Sequence, residues 1–140
     1  MSSYSHGGHT TFFHRYHVVW ATKYRYKVLT RDMRGRLRTI IRQVCEELEV
    51  DIVRGVLASD HVHMFISVPP KLALSTVMQR IKGRSSRKIQ MEFPGLKKRY
   101  WGRHFWAVGY FSTTAGNVTV QTVERYLELH SRSDATDVSR

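Results

Sequence analysis

The sequence predicts an α+β domain: an antiparallel sheet with helices on one face and one extra helix at the C-terminal end. Three observations predict it. The chain has 140 residues and is 41% hydrophobic, enough for one sizeable core and not two. Four runs rich in aromatic and β-branched residues read as strands. Three stretches between and after them carry apolar residues at helical spacing.

Taken in order, Phe12 to Thr22 (FFHRYHVVWAT) reads as the first strand, and the basic–aromatic run Lys23-Tyr24-Arg25-Tyr26-Lys27 follows it. Thr30 is the N-cap of the clearest helix, with Asp32 in its first turn. Its apolar stripe is Met33, Leu37, Ile40, Ile41, Val44 and Leu48. Glu46, Glu47 and Glu49 oppose the helix dipole at its C-terminal end, so solvation or tertiary contacts must offset them. Asp51–Leu57 and His61–Val68 read as two strands joined through Ala58-Ser59-Asp60, and Pro69-Pro70 ends the second. A second helix is expected from Ser75 to about Met91, stopped before Pro94 and weakened by Gly83 and two serines. Phe105 to Ser112 reads as a fourth strand, weakened by Gly109. Gly116 then breaks the chain, Asn117 can cap, and Val118 to Ser131 reads as a third helix with Val120, Val123 and Leu127 buried. The order β-α-β-β-α-β-α is that of a ferredoxin-like (RRM-like) unit plus one helix. Residues 12–131 are expected to form this single domain, with 1–11 and 132–140 as flexible ends.

Composition narrows the function. Lys plus Arg is 23 against 11 acidic residues, a net charge of +12, which points to a polyanion partner. No apolar run approaches the ~18 residues of a membrane span. The N-terminus lacks the apolar stretch of a secretory signal. One cysteine, Cys45, cannot form an internal disulfide and fits the cytoplasm; its place beside the first helix's stripe predicts burial.

The sharpest local signal is Asp60-His61-Val62-His63. Residues two apart on a strand project from the same face, ~7 Å apart. His61 and His63 can therefore converge on one metal ion, or form a hydrogen-bonded surface pair. Tyr126 and His130 are four apart and share a helical face beside Val123 and Leu127. His130 would complete a three-ligand site, and a phenol one turn away is a candidate nucleophile. The alternative for Tyr126 is a boundary residue with a buried ring and a solvated hydroxyl.

Four blocks then resemble one family. They are Tyr16-His17-Val18-Val19-Trp20 with Lys23-Tyr24-Arg25; Asp60-His61-Val62-His63; Ile81-Lys82-Gly83 with Ser85-Ser86-Arg87; and Tyr100-Trp101-Gly102 with Phe105-Trp106 and Tyr110-Phe111, ending in Gly116 and Tyr126-Leu127-Glu128. Their order and gaps over roughly residues 12–131 resemble the single-tyrosine HUH transposases, the TnpA type of the smallest insertion sequences, with the REP-associated tyrosine transposases as relatives. The resemblance implies that Tyr126 attacks a phosphodiester of single-stranded DNA, keeps the 5′ side as a phosphotyrosine and releases a 3′-hydroxyl. It implies a divalent ion, Mg²⁺ or Mn²⁺, held by His61, His63 and a residue one turn beyond the tyrosine. It implies a homodimer in which the tyrosine helix can dock on the partner, with Gly116 as hinge. The family usually has a glutamine where this sequence has His130. A third nitrogen ligand shifts preference away from Mg²⁺ towards Mn²⁺, Co²⁺ or Zn²⁺.

The expected partner is a single-stranded DNA hairpin. Lys23, Arg25, Lys82, Arg84, Arg87, Lys88, Lys97, Lys98, Arg99 and Arg103 are candidate phosphate contacts, each also readable as a solvated cation. Tyr24, Tyr26, Tyr100 and Trp101 interleave with them as stacking platforms. Trp20 and Trp106 are assigned to the core. His17 lies on the first strand and can stand near the histidine pair or serve the fold. Asp60 can hydrogen-bond a ligating imidazole or approach the metal. Three rivals stand beside the transposase reading: a relative acting on dispersed palindromes with the same chemistry, a non-enzymatic RNA-binding module, and a metal-dependent hydrolase that leaves Tyr126 idle.

Overall fold

The computed structural model describes residues 5–6, 9–10, 13–96, 104–114 and 121–128. Within the segment expected to be flexible, β1 (Ser5–His6) and β2 (His9–Thr10) pair as a short antiparallel ribbon. The main sheet is built from β3 (His14–Ala21), β4 (Asp51–Leu57), β5 (His61–Val68) and β6 (Phe111–Thr113), in the order β4-β5-β3-β6. Every neighbouring pair is antiparallel, as the sequence order predicts.

Strand alternation divides the side chains between two faces. Val18 and Trp20 of β3 join Val62, Met64, Ile66 and Val68 of β5 in the main core. That face is covered by α1 (Arg31–Glu47) and α2 (Leu74–Glu92). Thr30 caps α1 by accepting from the Met33 N–H, and Leu37, Ile40, Ile41, Val44 and Cys45 are its buried stripe. Burial pushes the Cys45 thiol up to about 12, which leaves it inert as a thiolate. Two of the acidic residues that oppose the α1 dipole have cationic partners: Glu47 accepts from Arg84 at 2.8 Å and Glu49 from Lys71 at 2.6 Å.

α2 begins one residue earlier than expected and has no side-chain cap. The serines that lower its propensity have tertiary work instead. Ser85 Oγ accepts from the Trp106 indole N–H at 2.9 Å, and Ser86 Oγ from the Phe105 backbone N–H at 3.3 Å. These bonds account for a difference from the sequence reading. The fourth strand was expected over 105–112, whereas β6 covers only Phe111–Thr113. Residues 105 and 106 are tied to α2 and bury their rings, Trp106 bridges to Thr22, and Gly109 turns the chain at φ +82 before β6 can pair. The first strand is likewise shorter than read, starting at His14. β4 and β5 have the expected bounds.

The third helix is described over 121–128 and is labelled α3. Leu127, Val123 and Tyr126 pack with Val19, Ala21 and Phe111. Val19 and Ala21 are the alternate residues of β3, so α3 lies across the sheet face opposite to α1 and α2. Gly116, Asn117 and Val120, as well as 132–140, lie outside the described residues.

Candidate active site

The face that α3 partly covers carries the chemistry. In the β3–β5 register His61 stands opposite Ala21, His63 opposite Val19, and Phe65 opposite His17. His61 and His63 therefore project from one face, as the His-x-His spacing predicts. Tyr126 packs in the small cluster with Val19 and Ala21, the two residues that register against the histidines. Its ring centroid is 6.0 Å from that of Phe111, and its hydroxyl is shielded from solvent.

His17 joins this group. Its Nδ1 is 3.3 Å from His63 Nε2, and its ring stacks on Phe65 with centroids 4.3 Å apart. Burial, helped by the nearby His17, His61 and Arg54, pushes the His63 imidazole below its ordinary value. The neutral ring, which can donate a lone pair, is thereby favoured.

Asp60 is 5% exposed and works in two directions. Oδ1 is 2.8 Å from His61 Nδ1, and Oδ2 accepts from Arg25 Nε at 3.0 Å. Burial pushes its carboxyl up, but the hydrogen bonds from His61 and Arg25 outweigh that and hold it below the ordinary carboxylate range. Arg25 reaches Asp60 from a one-turn 3₁₀ segment, Lys23–Arg25. Tyr24 and Arg25 adopt φ of 61 and 55, in the left-handed region, where each non-glycine residue costs on the order of 1–3 kcal/mol. The turn is pinned on both sides: Thr22 N–H donates to Asp60 O at 2.9 Å and Lys23 N–H to Phe105 O at 2.9 Å.

The donor set suits a divalent ion. Two imidazoles share a face, His61 has its Nδ1 engaged by a carboxylate, and its Nε2 is the remaining ligating atom. Among the described residues no three His, Cys, Asp or Glu side chains already form a metal-binding group. His130, the expected third ligand, lies outside them.

Among the described residues, three of the expected DNA-binding cations have partners within the chain. Arg25 is committed to Asp60. Lys82 donates to the Ala107 and Gly109 carbonyls at 2.9 and 2.7 Å, and burial pulls its ammonium down to about 8. Arg84 pairs with Glu47 of α1. Lys82 and Arg87 line a cleft of ≈ 570 Å³ between α2 and residues 104–109, which also holds Ser86, Gln90 and His104. All of these α2 residues, Lys88 included, lie on the helix-covered side of the sheet. Lys23 follows the end of β3, its ammonium 5.5 Å from the centroid of the Tyr24 ring, and Tyr24 contacts Tyr26. Lys97, Lys98, Arg99, Tyr100, Trp101 and Arg103 lie outside the described residues. The Arg25–Asp60 pair was missed by sequence reasoning. Its signal was the antiparallel pairing itself, which brings the end of the first strand to the start of the third.

A ferredoxin-like sheet that sets a His-x-His strand and a tyrosine-bearing helix on one face is the plan expected of a DNA-transposing enzyme. Residues 10–130 match the family described as Transposase IS200 like, and the chain belongs to that family. It is 34% identical over 126 residues to the transposase for insertion sequence element IS200 of Salmonella typhimurium, covering 90% of this chain and 82% of the relative. It is 29% identical over 113 residues to the ISDra2 transposase TnpA of Deinococcus radiodurans, covering 81% of each. A crystal structure of a candidate transposase from Deinococcus radiodurans superposes with a TM-score of 0.81 at 28% identity, covering 90% of this chain and 96% of that one. A REP-associated tyrosine transposase bound to a REP hairpin shares the fold, with a TM-score of 0.56 at 14% identity over 89% of this chain and 67% of that one. No helix among the described residues is long and apolar enough to cross a membrane.

Proposed function

We propose that this transposase cleaves and rejoins single-stranded DNA at the hairpin-bearing ends of its own element, through a phosphotyrosine at Tyr126. One observation carries the reading: Tyr126 packs against the cluster of Val19, Ala21 and Leu127, and two members of that cluster register opposite His63 and His61. In cleavage the Tyr126 phenolic oxygen bonds to phosphorus and the P–O3′ bond breaks. The phenol loses its proton, the 3′ oxygen leaves as a hydroxyl, and the 5′ side stays on the enzyme. Rejoining is the reverse, with a 3′-hydroxyl displacing the tyrosine, so no nucleotide cofactor is required.

His61 and His63, with His130 from the tyrosine helix, are proposed to hold a divalent ion, Mg²⁺ or Mn²⁺. Bound there, the ion would neutralise charge on the scissile phosphate. Lys23 and Tyr24, in the turn that follows β3, would receive the strand that enters the site. Arg87 and Lys88 of α2, with Lys97, Lys98, Arg99 and Arg103, are proposed as further phosphate contacts for the hairpin. The working enzyme is proposed to be a homodimer.

The test is an adduct assay. Labelled single-stranded hairpin DNA from the element ends is incubated with the protein and Mn²⁺, then denatured in SDS. Wild type should retain label on the protein, and Tyr126→Phe should retain none. Cleavage that persists in Tyr126→Phe would mean a water-using hydrolase. Binding without any cleavage by wild type would mean a recognition module.

A further inference from the structure

The Asp60 carboxylate sits between two donors of different kinds. Its Oδ2 accepts from Arg25 Nε at 3.0 Å, and its Oδ1 is 2.8 Å from His61 Nδ1. Asp60 itself is almost fully buried, and its backbone carbonyl accepts from the Thr22 N–H. The Ala58 N–H donates to the His61 carbonyl at 2.9 Å, so the residue that carries the imidazole is also anchored. An ionised carboxylate only accepts hydrogen bonds. A neutral imidazole has one N–H, and here it must be on Nδ1.

We propose that Asp60 is a positioning residue that fixes the Nδ1–H tautomer of His61, and that Arg25, by binding the other oxygen, holds the carboxylate in the orientation that reaches the ring. The consequence is a lone pair on His61 Nε2, the nitrogen left to take a metal ion. This rests on the proposed function for its purpose but not for its geometry. It also gives a reason for the left-handed backbone at Tyr24 and Arg25: that turn delivers the guanidinium to a carboxylate on another strand end. Arg25 is thereby given a role toward Asp60 through its Nε.

The arrangement makes an unusual demand on Asp60→Asn. The side-chain amide must offer its oxygen to Arg25, which can only donate, and so turns its NH₂ to His61. Nδ1 then becomes an acceptor and the proton moves to Nε2, blocking the ligating atom. Removing Arg25 from that variant frees the amide to turn round. Two losses should therefore partly cancel, which a merely structural ion pair would not do.

The experiment uses metal-free protein with ¹⁵N-labelled histidine. Long-range ¹H–¹⁵N correlations at about pH 8, above the ordinary imidazole range, report the tautomer. Wild-type His61 should carry its proton on Nδ1, and a proton on Nε2 would overturn the proposal without any variant. Asp60→Asn should reverse the tautomer and weaken Mn²⁺ binding, titrated calorimetrically, by roughly 10–100-fold. Arg25→Met added to Asp60→Asn should restore Nδ1–H and recover part of the affinity. An unchanged tautomer in Asp60→Asn, or no recovery in the double variant, would overturn it. A wild-type protein with the expected tautomer but no SDS-resistant adduct would instead defeat the phosphotyrosine reading and leave the positioning role standing.

Discussion

The two faces of the central sheet are made by the same strands and do different things. On β3 and β5, Val18, Trp20, Val62, Met64 and Ile66 face α1 and α2 and are at most 3% exposed. Their neighbours one residue along, His17, Val19, Ala21, His61, His63 and Phe65, face the other way, and Val19 and Ala21 meet α3. The first set is uniformly apolar and contributes transfer free energy. The second mixes small apolar residues with imidazoles, so it gives a floor on which polar groups stand at fixed spacing. Period-2 alternation thus lets one strand serve stability and chemistry without compromise. The imidazoles sit on strands whose backs are fully packed, which is why their separation can be held.

The largest effect should come from crossing that division. Trp20→Ala removes a fully buried side chain from the helix-covered face and should cost about 3–5 kcal/mol, read as the urea midpoint. His63→Ala, on a residue that pairs in register with Trp20's neighbour Val19, should cost less than about 1.5 kcal/mol and abolish the SDS-resistant adduct. Equal destabilisation by the two would mean that the open face is as much core as the other.

How far the sequence revealed this follows from where its signals are local. The bounds of β5 were legible because Ser59-Asp60 and Pro69-Pro70 punctuate it, and α1 because Thr30 caps a clean 3.6-residue stripe. The shared face of His61 and His63 followed from strand geometry alone. The fate of residues 105–110 did not. Phe105-Trp106-Ala107-Val108 has strand composition, but what fixes it is a pair of serine hydroxyls 19 and 21 residues back, on α2. Runs of cations carry the least information of all. Lys82, Arg84 and Arg25 look alike in sequence, and the fold gives them three unrelated partners. An ion pair between distant segments leaves no periodic mark.

Lys82 allows a smaller and more selective test of the helix-covered side. Burial holds its ammonium near pKa 8, below the ordinary 10.5. Between those values the unfolded chain binds more protons than the native one, so stability should climb as pH rises through that window. It should be lost again as pH falls back through about 8. Lys82→Met should flatten the rise in urea stability over the same range. A slope that survives the substitution would assign the effect to other lysines and leave the Ala107 and Gly109 carbonyls as the whole of Lys82's role.

The smallest effect belongs to a lysine on the outside of the same layer. Lys71 donates to Glu49 at 2.6 Å, a shorter contact than either bond Lys82 makes, yet both partners are two-thirds exposed. Water competes for both charges, and holding two long side chains together costs entropy. Lys71→Ala should therefore leave the urea midpoint within error at moderate salt, at every pH where Lys82→Met changes it. The contrast separates distance from burial as the source of a cation's influence. If the exposed pair moved the midpoint as far as the buried one, the offset of Glu49's unfavourable place at the end of α1 would be electrostatic after all, and salt should then erase it.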